Sequence, residues 1–468
     1  MILKEIEIQN FHCYKETNFQ LAERVNVLIG KNGSGKTSLL KSIKNALSIF
    51  FSSNPSWGYS TIVGSVNDLS VANLDCDEIW HDEDMQPAES VDIKITASAD
   101  GCNADMPSFP SWSFHKLSSA NAKLQSTYYK DAYLYFRKFT LDGNMPWPLF
   151  AYYSDRYPHI DAKLSQATQK MIDNDDKLYR AWGYYHWDKD SSCALIWQKR
   201  FMRTYNLLYK RMQSLSRIED KESAEARKCK ADIEKYSSET DFILKYLNKF
   251  TSNHIEGLSD TSNTLQVKDI ITDGVSKPYL VAYFADGNRR RWDELPAGYE
   301  RLYNIVFDIA YRSYILNGAF VEPQGIVLID EIDLHLHPSM EQDVLRRLMS
   351  TFEHIQFVIS THSPLVLSNT ALGDGGKVIL LQYENGEYAH TYISDQYGSD
   401  YDFVLSAIMK TEPRNVKLEQ LKGKYLRLMQ RGKTDLAEET LKALQALGIS
   451  DERYEKIVND LKEELGEL

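Results

Sequence analysis

The stretch Gly30-Lys31-Asn32-Gly33-Ser34-Gly35-Lys36-Thr37 fits the phosphate-binding pattern G-x-x-x-x-G-K-[ST] at every fixed position. Val25-Asn26-Val27-Leu28-Ile29 before it reads as a buried strand, and Ser38–Leu47 after it carries helical spacing. That order is the context phosphate binding needs. Glycines let successive backbone N–H groups turn inward around phosphate oxygens. The following helix adds its positive N-terminal end. In this reading Lys36 reaches the outer phosphates and Thr37 places a hydroxyl on Mg²⁺. A glycine turn without a ligand is the competing reading, and the flanking strand and helix argue against it.

Upstream, Met1–Gln9 alternates apolar and polar residues, as a half-buried strand does. Thr17–Leu21 is a candidate second strand. Downstream, 52–86 is rich in Ser, Gly, Asn and Asp and reads as a loop-rich insertion. Val91–Ala97 and Ser111–Leu117 alternate as strands, and a helix is expected over Ser118–Phe139. Pro148–Tyr153 is an apolar strand ending at Ser154-Asp155-Arg156. Arg156 either faces the nucleotide or sits in a surface ion pair.

Residues 160–255 read as helical. Phe201, Tyr205, Leu208, Met212 and Leu215 fall on one helix face, with further helices expected near Ser223–Tyr236 and Thr240–Phe250. From Lys199 to Arg217 there are six basic residues, Lys199, Arg200, Arg203, Lys210, Arg211 and Arg217, and no acidic one, in a chain of net charge −12. That run either contacts a phosphate backbone or forms a solvated helix face.

Two more stretches carry chemistry. Glu294-Leu295-Pro296-Ala297-Gly298-Tyr299-Glu300-Arg301 opens a helix, with proline suited to its first turn, and Asn317-Gly318 stops it. Ile326-Val327-Leu328-Ile329 is a fully apolar strand with Asp330-Glu331 at its C-terminal end. Ile332–Pro338 and a helix over Ser339–Phe352 follow. Then Ile355–Ile359 is another buried strand, ending in Ser360-Thr361-His362-Ser363-Pro364. Asn385-Gly386 between two strand-like runs signals a hairpin. The remainder is helical, with stripes at Leu418, Leu421, Tyr425 and Leu428 and at Leu441, Leu444 and Leu447.

These elements converge on one nucleotide. Asp330 can hold the metal. Glu331 is placed to polarise an attacking water as general base, and His362 ends a neighbouring strand where it can sense the outer phosphate.

On these residues the chain resembles the ABC-type ATPases of the RecF/SMC kind. The carriers are Asn10-Phe11, Gly30–Thr37 as Walker A, Leu295–Arg301 as the signature, Ile326–Glu331 as Walker B, Asp333–Pro338 as the D-loop and Ser360–Ser363 as the switch-histidine loop. The resemblance implies an α/β ATPase head, with a parallel sheet core, an antiparallel β-subdomain, a short helical arm and a helical C-terminal tail. The implied division is lobe I at 1–158, the arm at 159–255, lobe II at 256–396 and a helical region at 397–468. It implies ATP and Mg²⁺ as ligands. Asn32, Gly33, Ser34, Gly35, Lys36, Thr37 and Ser38 would hold nucleotide, and Thr37 and Asp330 the metal. Glu331 and His362 would be catalytic. Ala297 and Gly298 of a second copy would meet the terminal phosphate, in a head-to-tail homo-oligomer. The chain departs from the group in lacking the serine usual where Pro296 or Ala297 stands. Residues 37–329 between the two Walker motifs leave no room for a long coiled coil.

The signature and two-helix tail are similar to those of Septu-type anti-phage ATPases, which work with a separate nuclease. That implies regulation of an HNH nuclease partner, with a Toprim partner as the other option. No Asp-x-Asp strand end or Cys/His cluster after Ser363 suggests a nuclease within the chain itself. The alternative reading is a RecF-like repair ATPase that clamps DNA directly, with Lys199–Arg217 as its contact. A transporter subunit is disfavoured by the D-loop.

Composition agrees with a soluble cytoplasmic protein. The 468 residues are 43% hydrophobic and 26% charged, and no apolar stretch approaches a membrane span of ~20 residues. Met1–Glu5 enters a strand-like pattern, so no signal peptide is expected. The five cysteines lack metal-site spacing and are expected to be reduced. The 29 tyrosines read as packing material.

Overall fold

The computed structural model describes residues 1–52, 69–98, 109–119, 123–141, 145–157, 179–190, 193–252, 266–274, 277–384, 386–394, 396–409, 416–447 and 450–466. It divides into two compact units, Met1–Gly398 and Ser399–Leu468.

The first unit begins with β1 (Ile2–Phe11), β2 (Tyr14–Gln20), β3 (Val25–Ile29) and α1 (Lys36–Leu47). It continues through β4 (Ser90–Ser98), β5 (Trp112–Leu117), α2 (Lys130–Leu141) and β6 (Leu149–Tyr153). Two long helices follow, α3 (Ala194–Arg217) and α4 (Ala224–Thr251). After them come β7 (Val267–Asp273), β8 (Tyr279–Phe284), β9 (Arg289–Arg291) and α5 (Ala297–Asn317). The unit closes with β10 (Gln324–Ile329), α6 (Pro338–Glu341), α7 (Val344–Thr351), β11 (His354–Ser360), α8 (Pro364–Ser368), β12 (Gly376–Glu384) and β13 (Glu387–Ile393).

A six-stranded sheet runs β13-β12-β3-β11-β10-β6. Only β13 is antiparallel to its neighbour. Strands β3 and β6 are buried at every position, and β10 and β11 nearly so, which explains their largely apolar runs. Two polar residues interrupt them, and both are bonded. Asn26 exchanges hydrogen bonds with the backbone of Ala22, at 2.7 and 3.0 Å. Gln356 bonds both backbone groups of Leu3 at 2.8 Å, which ties β11 to β1. That strand belongs to the antiparallel sheet β2-β1-β4-β5. The expected α/β architecture, parallel core and antiparallel subdomain is therefore present. Many tyrosines pack as expected, with Tyr153, Tyr184, Tyr185, Tyr246 and Tyr311 among the largest fully buried side chains.

Three helix boundaries differ from expectation. Ser118–Phe139 is not one helix, because Ser118 and Gln125 donate to Glu89 and His115 and extend the edge of the antiparallel sheet. The helix begins only at Lys130. The two helices expected over Ser223–Phe250 are a single one, α4. Ser237 and Thr240 bond back to carbonyls within the helix, and Glu239 turns inward to Arg200, so the polar run does not break it. Ser339–Phe352 is split into α6 and α7 at Gln342-Asp343, where Asp343 pairs with Arg346 and Arg347. Residues 160–178 of the stretch expected to be helical and the strand start at Thr264-Leu265 lie outside the described residues.

The second unit is a helical bundle of α9 (Val416–Gln430), α10 (Thr434–Gln445) and α11 (Asp451–Glu464). Tyr425, Ala437, Leu444, Ile457 and Leu461 form its core. No helix among the described residues is long and apolar enough to cross a membrane.

Candidate nucleotide-binding site

The parallel strands β3, β10 and β11 end at the same edge of the sheet. Their C-terminal loops therefore converge, as crevice loops of parallel sheets do. Gly30, Gly33 and Gly35 have φ of 145°, 79° and 101°, so the loop uses backbone conformations that side-chain-bearing residues avoid. Gly35 caps α1 with no side-chain bond of its own. Beneath it, the buried Tyr14 hydroxyl donates to the Gly35 carbonyl at 3.0 Å. A Cβ at Gly35 would strike that hydroxyl.

Lys36 is 6% exposed, and its Nζ donates to the Gly30 and Lys31 carbonyls at 2.9 and 3.1 Å. Burial lowers its pKa, and the carboxylates of Asp330, Glu331 and Asp333 partly offset this. Ser34 is buried with an unpartnered Oγ. An inward-turned glycine loop, a buried ammonium and an orphaned hydroxyl suit a polyphosphate. Gly33 and Asn32 are at the exposed rim of the loop, and Ser38 follows Thr37 in the first turn of α1.

Thr37 Oγ1 donates to Asp330 Oδ2 at 2.8 Å. A hydroxyl paired with a buried carboxylate beside a phosphate loop is an oxygen donor set that fits Mg²⁺. Ser360 Oγ donates to the other Asp330 oxygen and accepts the Glu331 N–H at 2.8 Å. Glu331 itself has φ of 49°, a sparsely populated conformation for its residue type. Its pKa is raised, first by burial and then by Asp330, Asp155 and Asp333, with Lys36 opposing. A carboxylate so shifted is a better proton acceptor near neutrality. As a base Glu331 would have to be deprotonated, so turnover should fall as pH drops through a value above the usual glutamate range. That acid limb should vanish from the pH–rate profile of Glu331→Gln.

His362 is half-buried at the end of β11. Burial lowers its pKa, and Lys36 lowers it further, so the ring is neutral at pH 7. Asp333 accepts the Thr361 hydroxyl at 2.6 Å and the His362 N–H at 3.2 Å. These bonds lock the loop after β10 to the loop after β11.

Arg301 was legible only as part of the signature stretch. The structure gives it a larger place. It is 0% exposed and donates from the first turns of α5 to the Tyr157 carbonyl at 3.1 Å and the Asp330 carbonyl at 2.8 Å, and also to the Glu331 carbonyl. One guanidinium thus binds the chain after β6 and the chain after β10, and holds the strained Glu331 from its carbonyl side. An arginine leading into the apolar body of a helix was the available signal, because a buried guanidinium demands acceptors. Arg301→Ala should cost about 3–5 kcal/mol by stranding buried carbonyls, read as a fall in unfolding free energy. An unchanged denaturation midpoint would contradict this place for Arg301.

Ala297 is exposed, and the residue before it, Pro296, gives α5 no side-chain cap. The first turn of α5 therefore begins without a side-chain cap and with Ala297 at the surface. Gly298 is buried, and a Cβ there would meet the His335 carbonyl of its own D-loop at 2.6 Å. Packing within the chain is thus sufficient to require this glycine. Arg156 is exposed past β6 and makes no ion pair with a described residue. No cluster of metal-ligating side chains occurs among the described residues outside this donor set.

The retron Vc95 probable ATPase of Vibrio cholerae serotype O1 biovar El Tor is 27% identical over 460 residues, covering 92% of this chain and 84% of that protein. The retron Ec83 probable ATPase of Escherichia coli is 24% identical over 405 residues, covering 77% of this chain and 68% of that one. The Septu protein PtuA of Bacillus mycoides (strain KBAB4) is 28% identical over 235 residues, covering 47% of this chain and 31% of that protein. Among solved structures, the SMC head domain from Thermotoga maritima is similar with a TM-score of 0.39 and 12% identity, over 84% of this chain and 100% of that one. The family described as AAA ATPase domain matches residues 1–367, which span the phosphate loop, Asp330-Glu331 and His362. On that match the chain belongs to the AAA ATPase domain family.

Proposed function

We propose that this chain is the ATP-binding and ATP-hydrolysing regulatory subunit of an anti-phage defence complex, controlling a separate nuclease subunit of the HNH type. The observation that carries the ATPase part is the convergence of Lys36, Thr37, Asp330, Glu331 and His362 on one sheet edge. The relatives' printed names, two retron ATPases and a Septu protein, support the defence setting.

The residues have separable tasks. The glycine loop and Lys36 bind the phosphates of ATP, with Lys36 exchanging its two loop carbonyls for phosphate oxygens. Thr37 and Asp330 would hold Mg²⁺, which when bound neutralises charge on the phosphate oxygens. Glu331 orients the attacking water and takes its proton. The neutral His362 is suited to a hydrogen bond with the terminal phosphate, and the Asp333 link fixes its backbone. The uncapped start of α5 at Ala297 supports a head-to-tail arrangement in which one copy's helix end meets the other copy's nucleotide.

The defence reading is tested by phage plating on cells that carry this gene with its neighbouring reading frames. Protection is expected with the wild-type chain and should be lost with Lys36→Ala. Equal protection by both would overturn the regulatory role of ATP.

A further inference from the structure

Strands β10 and β11 pair in parallel, with Ile329 opposite Ile359. The next residue on each strand then stands beside its counterpart, Asp330 beside Ser360. Ser360 is fully buried, so its polar groups need partners within the protein. It finds them on three consecutive residues past β10. Its Oγ donates to Asp330 Oδ1 and accepts the Glu331 N–H at 2.8 Å. Its carbonyl accepts the Ile332 N–H at 3.0 Å. The other two hydroxyls of this loop go further along the chain. Thr361 donates to Asp333 at 2.6 Å, and Ser363 donates to Glu341. Of the three, Ser360 is the one that reaches both Asp330 and Glu331.

Resting on the ATPase reading, we infer that Ser360 is a positioning residue for ATP hydrolysis, acting through both Asp330 and Glu331. Asp330 has one carboxylate oxygen on Ser360 and the other on Thr37, the latter at 2.8 Å. The Ser360 bond thus fixes which oxygen faces the phosphate loop and is left for Mg²⁺. Hydrogen bonds that orient a metal-binding carboxylate in this way are worth about 10- to 100-fold in metal affinity or activity. Glu331 has φ of 49°, a conformation that a glutamate keeps only where its surroundings hold it. Arg301 holds its carbonyl. Ser360 holds its N–H and the N–H of the residue after it. Without Oγ the Glu331 N–H loses its acceptor, and the backbone is free to relax toward an ordinary φ. The Glu331 carboxylate would then swing away from the attacking water. One hydroxyl therefore sets the aim of two acidic side chains with different tasks.

The test is Ser360→Ala in the full chain. Calorimetry with a non-hydrolysable ATP analogue, in EDTA and in Mg²⁺, is paired with ATP turnover. Affinity in EDTA should match wild type, because Lys36 and the glycine loop are untouched. The gain in affinity on adding Mg²⁺ should shrink by about tenfold or more, and kcat should fall by about 10- to 100-fold. A role in folding alone would lower the unfolding midpoint and leave the Mg²⁺-dependent gain and kcat intact, and that result would overturn the inference. Equal loss of affinity with and without Mg²⁺ would overturn it too. Should the alanine variant not fold, Ser360→Cys keeps a side chain of similar size with a weaker donor and should show the same pattern. A wild type that binds no nucleotide would overturn the ATPase reading and this role together. A wild type that binds and hydrolyses ATP, beside a Ser360→Ala variant with unchanged Mg²⁺-dependent gain and kcat, would overturn the role of Ser360 alone.

Discussion

Glu331→Gln should retain ATP affinity while turnover falls by about 10²- to 10⁴-fold, the usual contribution of a positioned general base. Glutamine keeps the size of the side chain and its backbone N–H bond to Ser360. It removes only the ability to accept a proton. The backbone of Glu331 is held on both sides, by Ser360 on its N–H and by Arg301 on its carbonyl. The substitution should therefore leave the loop in place, and the change should appear in kcat with little movement in KM. Undiminished turnover would remove Glu331 as the base and point to Asp155 or Asp333, the other carboxylates that influence it.

Lys36→Ala should weaken ATP binding by about one to two orders of magnitude, measured by calorimetry. A charge-assisted hydrogen bond is worth about 1.5–3 kcal/mol, and each 1.4 kcal/mol is tenfold in affinity. The ammonium is already desolvated and held by two loop carbonyls, so little ordering remains to be done when phosphate arrives. Alanine would also leave the Gly30 and Lys31 carbonyls without this donor. Lys36→Arg should not rescue the site, because a planar fork does not fit a position built around one point charge. Wild-type affinity in Lys36→Ala would refute the assignment of the phosphate loop.

Much of this was legible in the sequence because it depends on local rules. The glycine loop between Ile29 and Lys36 needs its positive-φ glycines wherever it occurs, and the apolar runs of β3, β10 and β11 follow from burial on both faces. The hairpin signalled by Asn385-Gly386 in the sequence is matched by antiparallel strands whose pairing closes at Glu384 and Glu387. Other features depend on contacts across long stretches of chain, and periodicity is blind to those. Tyr14 under Gly35, Ser360 between Asp330 and Glu331, and Asp333 on the switch loop each join residues from different elements. The single helix α4 was hidden because Ser237, Thr240 and Glu239 look like a break until Arg200 is brought alongside. Gly298 was read for its nucleotide role, whereas its packing on the His335 carbonyl becomes visible only once the D-loop folds back.

In the proposed function the Gly30–Thr37 loop and the Asp330-Glu331 strand end form one Mg²⁺-dependent ATPase site. Phosphate release from ATP by the purified full chain, with and without Mg²⁺, tests it most directly. Release should require Mg²⁺ and be lost in both Lys36→Ala and Glu331→Gln. Release that persists in both variants, or that is indifferent to Mg²⁺, would contradict it.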